Sequence, residues 1–104
     1  MKFVKTALIL MILLACNLAL SANIPAAERQ ALIDLYNSTN GASWTTKTNW
    51  NGAAGTENTW FGVTTDAENT KVLQLIIQDN NLVGTLPSSL GYLSNLTWLS
   101  LCSY

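Results

Sequence analysis

The sequence predicts an α/β solenoid: a helical, tryptophan-rich N-terminal unit followed by one complete and one partial repeat of strand and turn. Two observations carry this expectation. Val72, Leu75 and Ile77 recur as Leu96, Leu99 and Leu101, each pair 24 positions apart. Between them, residues 80–87 (Asn-Asn-Leu-Val-Gly-Thr-Leu-Pro) have the types of a sharp turn, not of a strand or helix. A fixed period of one strand and one turn marks stacked repeats, each burying its apolar edge against the next. Such an architecture presents a surface, which points to binding and away from catalysis.

At 104 residues the chain is sized for one domain. Residues 1–22 read as a secretory signal peptide. Lys2 and Lys5 give a short positive start, Thr6 to Leu20 are uncharged and almost wholly apolar, and the small Ser21 and Ala22 follow. The apolar run is about 15 residues, short of the ~20 that a membrane-spanning helix needs. A second reading of this segment stays open. Leu13-Leu14-Ala15-Cys16 resembles the bacterial lipobox, whose cysteine is lipidated and becomes the mature N-terminus. Cys16 is therefore a candidate lipidation site. The expected location is secreted or extracellular, with a membrane-attached lipoprotein as the alternative.

Removing residues 1–22 leaves Arg29, Lys47 and Lys71 against six acidic residues, a formal charge of −3. No basic patch remains to neutralise phosphates, which argues against a nucleic-acid partner. Cys102 is the one cysteine left, so the mature chain has no pair for an internal disulfide.

Residues 23–70 form the expected N-terminal cap. Pro25 suits a first helical turn, where its missing N–H costs nothing, and Glu28 suits the positive helix end. Ala27, Ala31, Leu32, Leu35 and Tyr36 fall near helical spacing and predict one apolar face. Asn37-Ser38-Thr39-Asn40-Gly41 predicts the end of the helix, with Gly41 as a left-handed stop. Residues 42–70 read as irregular structure around Trp44, Trp50, Trp60 and Phe61, with turns at Asn51-Gly52 and Gly55. A tryptophan buries about 150–250 Å² when it packs. These rings are expected to cover the end of the core; the alternative use is a platform for sugars or stacked bases.

Residues 71–104 carry the repeats. Val72 to Gln78 alternate as a short strand, with Leu75 and Ile77 on one side and Gln74, Ile76 and Gln78 on the other. Asn80 follows as an amide suited to satisfying buried backbone groups in the turn. Leu82, Leu86, Leu90 and Leu93 are expected to point inward, with Gly84 and Pro87 bending the backbone.

Val72, Leu75, Ile77, Asn80, Leu82, Gly84, Leu86, Pro87, Leu90 and Leu93 together resemble a leucine-rich repeat of the plant-specific type. Trp44, Asn49-Trp50 and Trp60-Phe61-Gly62-Val63 resemble that family's N-terminal cap. The resemblance spans about residues 27–101. Two positions depart from it. Cysteines usually flank the WxGV segment, whereas here those positions are Asn58 and Thr65, and Tyr104 stands where the next repeat asparagine is due. Repeats of this kind need about three units and closing caps for stability. The expectation is therefore a fragment of a longer repeat protein, or a chain completed by a partner or by self-association. Membrane contact would come through a lipid anchor or a missing C-terminal part.

The resemblance implies that the concave strand face binds a protein, peptide or glycan. Its residues are Gln74, Ile76 and Gln78, which shift by one period to Trp98, Ser100 and Cys102. Trp98 reads either as a hot-spot anchor or as a ring packed on a following repeat. Asn37 and Asn95 begin N-glycosylation sequons, though Asn37 is better read as a helix cap.

Enzyme chemistry is not expected. The chain has no histidine, so no Ser-His or Cys-His arrangement can be built. Metal-ligand and phosphate-loop patterns are missing, and no cofactor is expected. Asp66-Ala67-Glu68-Asn69 reads as a solvated turn. Nothing places Glu57 and Asp66 across a cleft as a glycosidase pair.

Overall fold

The computed structural model describes residues 23–101. The expected signal segment with Cys16, and Cys102 to Tyr104, lie outside the described residues. A 13-residue helix, α1 (Ala26–Ser38), opens the fold. Three short strands follow, β1 (Val63–Thr65), β2 (Val72–Ile76) and β3 (Trp98–Ser100), with 3₁₀ turns at Gly41–Ser43, Glu57–Thr59 and Ser88–Tyr92. They form one mixed sheet in the order β1-β2-β3. β1 runs antiparallel to β2, pairing Val63 with Leu75 and Thr64 with Gln74 before a bulge between Thr64 and Thr65.

β2 and β3 are parallel. Gln74 pairs with Trp98, Leu75 with Leu99 and Ile76 with Ser100, each pair 24 residues apart. The spacing in the sequence is thus the register of the sheet. The long connection needed between parallel neighbours is the turn and 3₁₀ segment between them.

The core gathers Ala31, Leu32 and Leu35 of α1, Val72, Leu75 and Ile77 of the β2 region, and Trp44, Trp50, Trp60, Val63 and Leu93. α1 differs from its sequence reading in one respect. Ala27 is exposed and Glu28 is buried instead. The reason is a hydrogen bond: the Glu28 carboxylate accepts the Val72 N–H at 2.8 Å, so a charged side chain ties the helix to the first residue of β2.

The helix ends at Ser38, and the left-handed residue is Asn40 (φ 59), not Gly41. Gly41 is glycine for lack of space: a Cβ there would stand 2.2 Å from the Tyr36 ring. Asn37 is exposed within the last helical turn and caps nothing. The carbonyls freed at this helix end are taken up by the segment after β2. Val83 N–H donates to Thr39 at 3.0 Å and Thr85 N–H to Ser38 at 3.3 Å, with Gly84 between them at φ 136.

The tryptophans stack end to end with Tyr36. Trp44 meets Tyr36 edge-on at 5.3 Å and Trp50 at 4.9 Å, and Trp50 meets Trp60 at 5.1 Å. Each indole N–H has an acceptor: Thr39 O, Phe61 O and Thr56 Oγ1. All three rings are buried in the core, so none is a platform for a ligand.

Leu86, expected to point inward, is 57% exposed, and Leu99, which shares the side of its buried partner Leu75, is 48% exposed, because among the described residues nothing stacks beyond them. Leu93 is buried as expected, and Leu82 and Leu90 are half-buried. The stretch read as irregular contains β1. At three residues it is too short for its alternation to register in sequence.

Candidate functional site: the open face of the sheet

Alternate residues of a strand point to opposite sides, and paired residues share a side. Leu75 and Val63 go into the core, which places Gln74, Ile76, Trp98 and Ser100 on the other face. Trp98 is 58% exposed and lies beside Gln74. Gln78, just past β2, is exposed, and its side-chain amide donates to the Ser100 hydroxyl. The structure therefore assembles five of the six sequence-predicted residues on one side of the sheet, the sixth, Cys102, lying outside the described residues.

It also adds one. Thr64 is exposed and pairs with Gln74, so Thr64, Gln74 and Trp98 make a row across all three strands. Sequence reasoning missed Thr64 because it read that segment as irregular. The signal was there in the apolar Val63 followed by two threonines, β-branched residues that favour strands.

None of the six side chains is ionisable. The face offers amide and hydroxyl groups, which both donate and accept hydrogen bonds, beside one large aromatic ring and one branched aliphatic chain. Among residues 72–101 the only charged side chain is Asp79. This chemistry suits neutral polar ligands with apolar patches, and it contains no group able to act as nucleophile with a base.

Four of the six carboxylates make structural contacts. Glu57 is buried, pairs with Arg29 and accepts the Gly55 N–H at 3.0 Å. Arg29 also donates to Gly52 O at 2.8 Å and lies over the Trp60 ring, 5.2 Å from its centroid. Asp66 closes the hairpin between β1 and β2 by accepting from Thr70 N, Thr70 Oγ1 and Lys71 N. The Thr70 hydroxyl, then the backbone donors and the Lys71 charge, pull its pKa down to about 2. Asp34 is likewise held below its usual value by Gln30 and then Ser89.

A cleft of about 350 Å³ lies among Asn49, Trp50, Gly52, Ala53, Thr56 and Thr59. Its hydroxyls and amide bond to one another's backbone: Asn49 to Thr59, Thr59 to Thr56 and Thr56 to Ala53. Among the described residues no cluster of His, Cys, Asp or Glu is arranged to hold a metal, and no helix is long and apolar enough to cross a membrane. Both sequon asparagines are exposed, Asn37 on α1 and Asn95 in the turn before β3.

Comparison of the chain with protein-family models, curated proteins and solved structures finds no match.

Proposed function

We propose that the chain is a leucine-rich repeat binding module, secreted or held at a cell surface, which takes a protein, peptide or glycan on the open face of its sheet. The reading rests on the parallel register of β2 and β3, which repeats the 24-residue period and sets exposed Trp98 beside Gln74. A tryptophan flanked by amides and a hydroxyl is the composition of a binding hot spot: apolar area at the centre and directional hydrogen bonds around it. No reaction is assigned to the chain, and no cofactor is required.

Probing arrays of peptides and of glycans with the purified chain tests this. A specific binder should be found whose affinity falls by about 2 kcal/mol, roughly thirtyfold, on Trp98→Ala. Gln74→Ala and Thr64→Ala should weaken it less, and Glu68→Ala in the hairpin turn should leave it unchanged. Binding indifferent to Trp98, Gln74 and Thr64 would sink the proposal.

A second reading makes the chain a non-catalytic part of a larger repeat protein, without activity alone. The exposed Leu86 and Leu99 favour it, since the repeat pattern assigns both to a core. Genomic sequence continuing in 24-residue repeats would select this reading over the first.

A further inference from the structure

The chain contains two Asn-Gly dipeptides, Asn40-Gly41 and Asn51-Gly52. Both asparagines are exposed and in the left-handed region, at φ 59 and φ 68. Asparagine is a thermally labile residue, and glycine as its successor exposes the attacking backbone nitrogen because it has no side chain. The two sites differ in what surrounds the glycine. We propose that Asn51-Gly52 is a site of spontaneous deamidation in the folded protein and that Asn40-Gly41 is protected by its packing.

The step is a cyclisation followed by hydrolysis. The Gly52 nitrogen attacks the side-chain carbonyl carbon of Asn51, the new C–N bond closes a succinimide, and the nitrogen's proton leaves with the amide group as ammonia. Water then opens the ring. Cleavage of its bond to the side-chain carbonyl gives aspartate; cleavage of its bond to the main-chain carbonyl gives isoaspartate. One water is consumed and one ammonia released, with no change of oxidation state.

Ring closure requires the peptide plane after asparagine to turn. At Gly41 this motion is blocked. The residue is buried under Tyr36, whose ring carbon would lie 2.2 Å from a Cβ, and the carbonyl of that plane, Asn40 O, holds the Ser43 N–H at 2.9 Å. Gly52 is half-exposed. Its N–H makes one bond, to Asn49 O at 3.1 Å, and the group nearest its Cβ position is the small Thr56 hydroxyl. A single bond of this kind is worth only about 1 kcal/mol net, so its loss is a modest barrier.

The product reaches the interior. Gly52 O holds Arg29, and Arg29 pairs with buried Glu57. Isoaspartate adds a methylene to the main chain immediately before Gly52, which displaces that carbonyl.

The test incubates the folded, full-length purified chain in warm, mildly alkaline buffer beside a denatured sample, followed by tryptic mapping. Cleavage after Arg29, Lys47 and Lys71 places Asn40 in peptide 30–47 and Asn51 in peptide 48–71. Fragmentation then locates each converted residue. Expected are aspartate and isoaspartate at position 51 with ammonia released in step, several-fold ahead of position 40 in the folded sample. The two positions should convert at similar rates once denatured. Asn51→Gln should abolish the signal at 51 without raising that at 40. Conversion at Asn40 matching or exceeding that at Asn51 in the folded chain, or no product at Asn51, would overturn the assignment.

Discussion

Asn80 pairs with the backbone of Thr46 through both edges of its amide. Its Oδ1 accepts the Thr46 N–H at 2.6 Å, and its Nδ2 donates to the Thr46 carbonyl at 2.7 Å, across 34 residues of sequence. The side chain is only 2% exposed. Asn80 thus ties the segment after β2 to the loop that follows α1. Asn81 adds a weaker tie, donating to Ser43 O at 3.1 Å.

Replacing Asn80 by Leu removes the partner of both the N–H and the carbonyl of half-buried Thr46. With water able to reach part of that residue, a loss of roughly 1–3 kcal/mol is expected by urea denaturation. Asn80→Asp keeps the acceptor but turns the second contact into repulsion between oxygens, and should destabilise nearly as much at neutral pH. Equal stability of both variants and the parent chain would rule out this tie as a support of the fold.

The Arg29–Glu57 pair predicts a strongly non-additive double-mutant cycle. Arg29→Met leaves Glu57 charged and 1% exposed, a situation that costs about 3–5 kcal/mol. Removing both charges with Arg29→Met and Glu57→Met should recover much of that loss. Thermal melts of the four proteins measure the coupling. Simple additivity would mean that the pair is solvated in solution.

Gly84 is held where other residues are strained and has no room for a side chain. Its φ is 136, and a Cβ would stand 2.0 Å from Ser38 O. Gly84→Ala should cost about 3 kcal/mol or more, read as a lower melting midpoint. Hydrogen exchange should quicken at Val83 and Thr85, whose N–H groups cover the end of α1. Unchanged protection at both amides would contradict that docking.

Asp66 sets an acid limit on the hairpin between β1 and β2. Its folded pKa, about 2, lies below the usual ~3.9 of the unfolded chain. The carboxylate's contribution is therefore complete above pH ~4 and is lost as pH falls toward 2. NMR titration should place the Asp66 carboxyl near the lower value, with the Thr70 and Lys71 amide signals moving in parallel. Asp66→Asn should flatten that pH dependence. An Asp66 titration at the ordinary aspartate value would refute the turn geometry.

Much of this organisation is legible in the residue order because it is local or periodic. The start of α1 just after Pro25, the alternation of Val72 to Gln78 and the 24-residue spacing are local or repeated choices along the chain. The open face followed from the same alternation, down to the pairing of Gln74 with Trp98. Glu28, Glu57 and Thr64 were not legible in this way. A carboxylate near a helix start ordinarily faces water, and sequence does not reveal that Val72 N–H, 44 residues away, is its partner.

The sequence by itself determined the period, the strand that carries it and the neutral character of the outer face. Those properties depend on residue types at short or fixed spacings. Only the tertiary structure decided which polar groups go inside, where Gly84 closes the helix, that Leu86 and Leu99 stay exposed, and that Thr64 joins the face. Each depends on what lies opposite in space. Burial and hydrogen-bond satisfaction are properties of pairs brought together by folding, and the order of residues along one strand does not contain them.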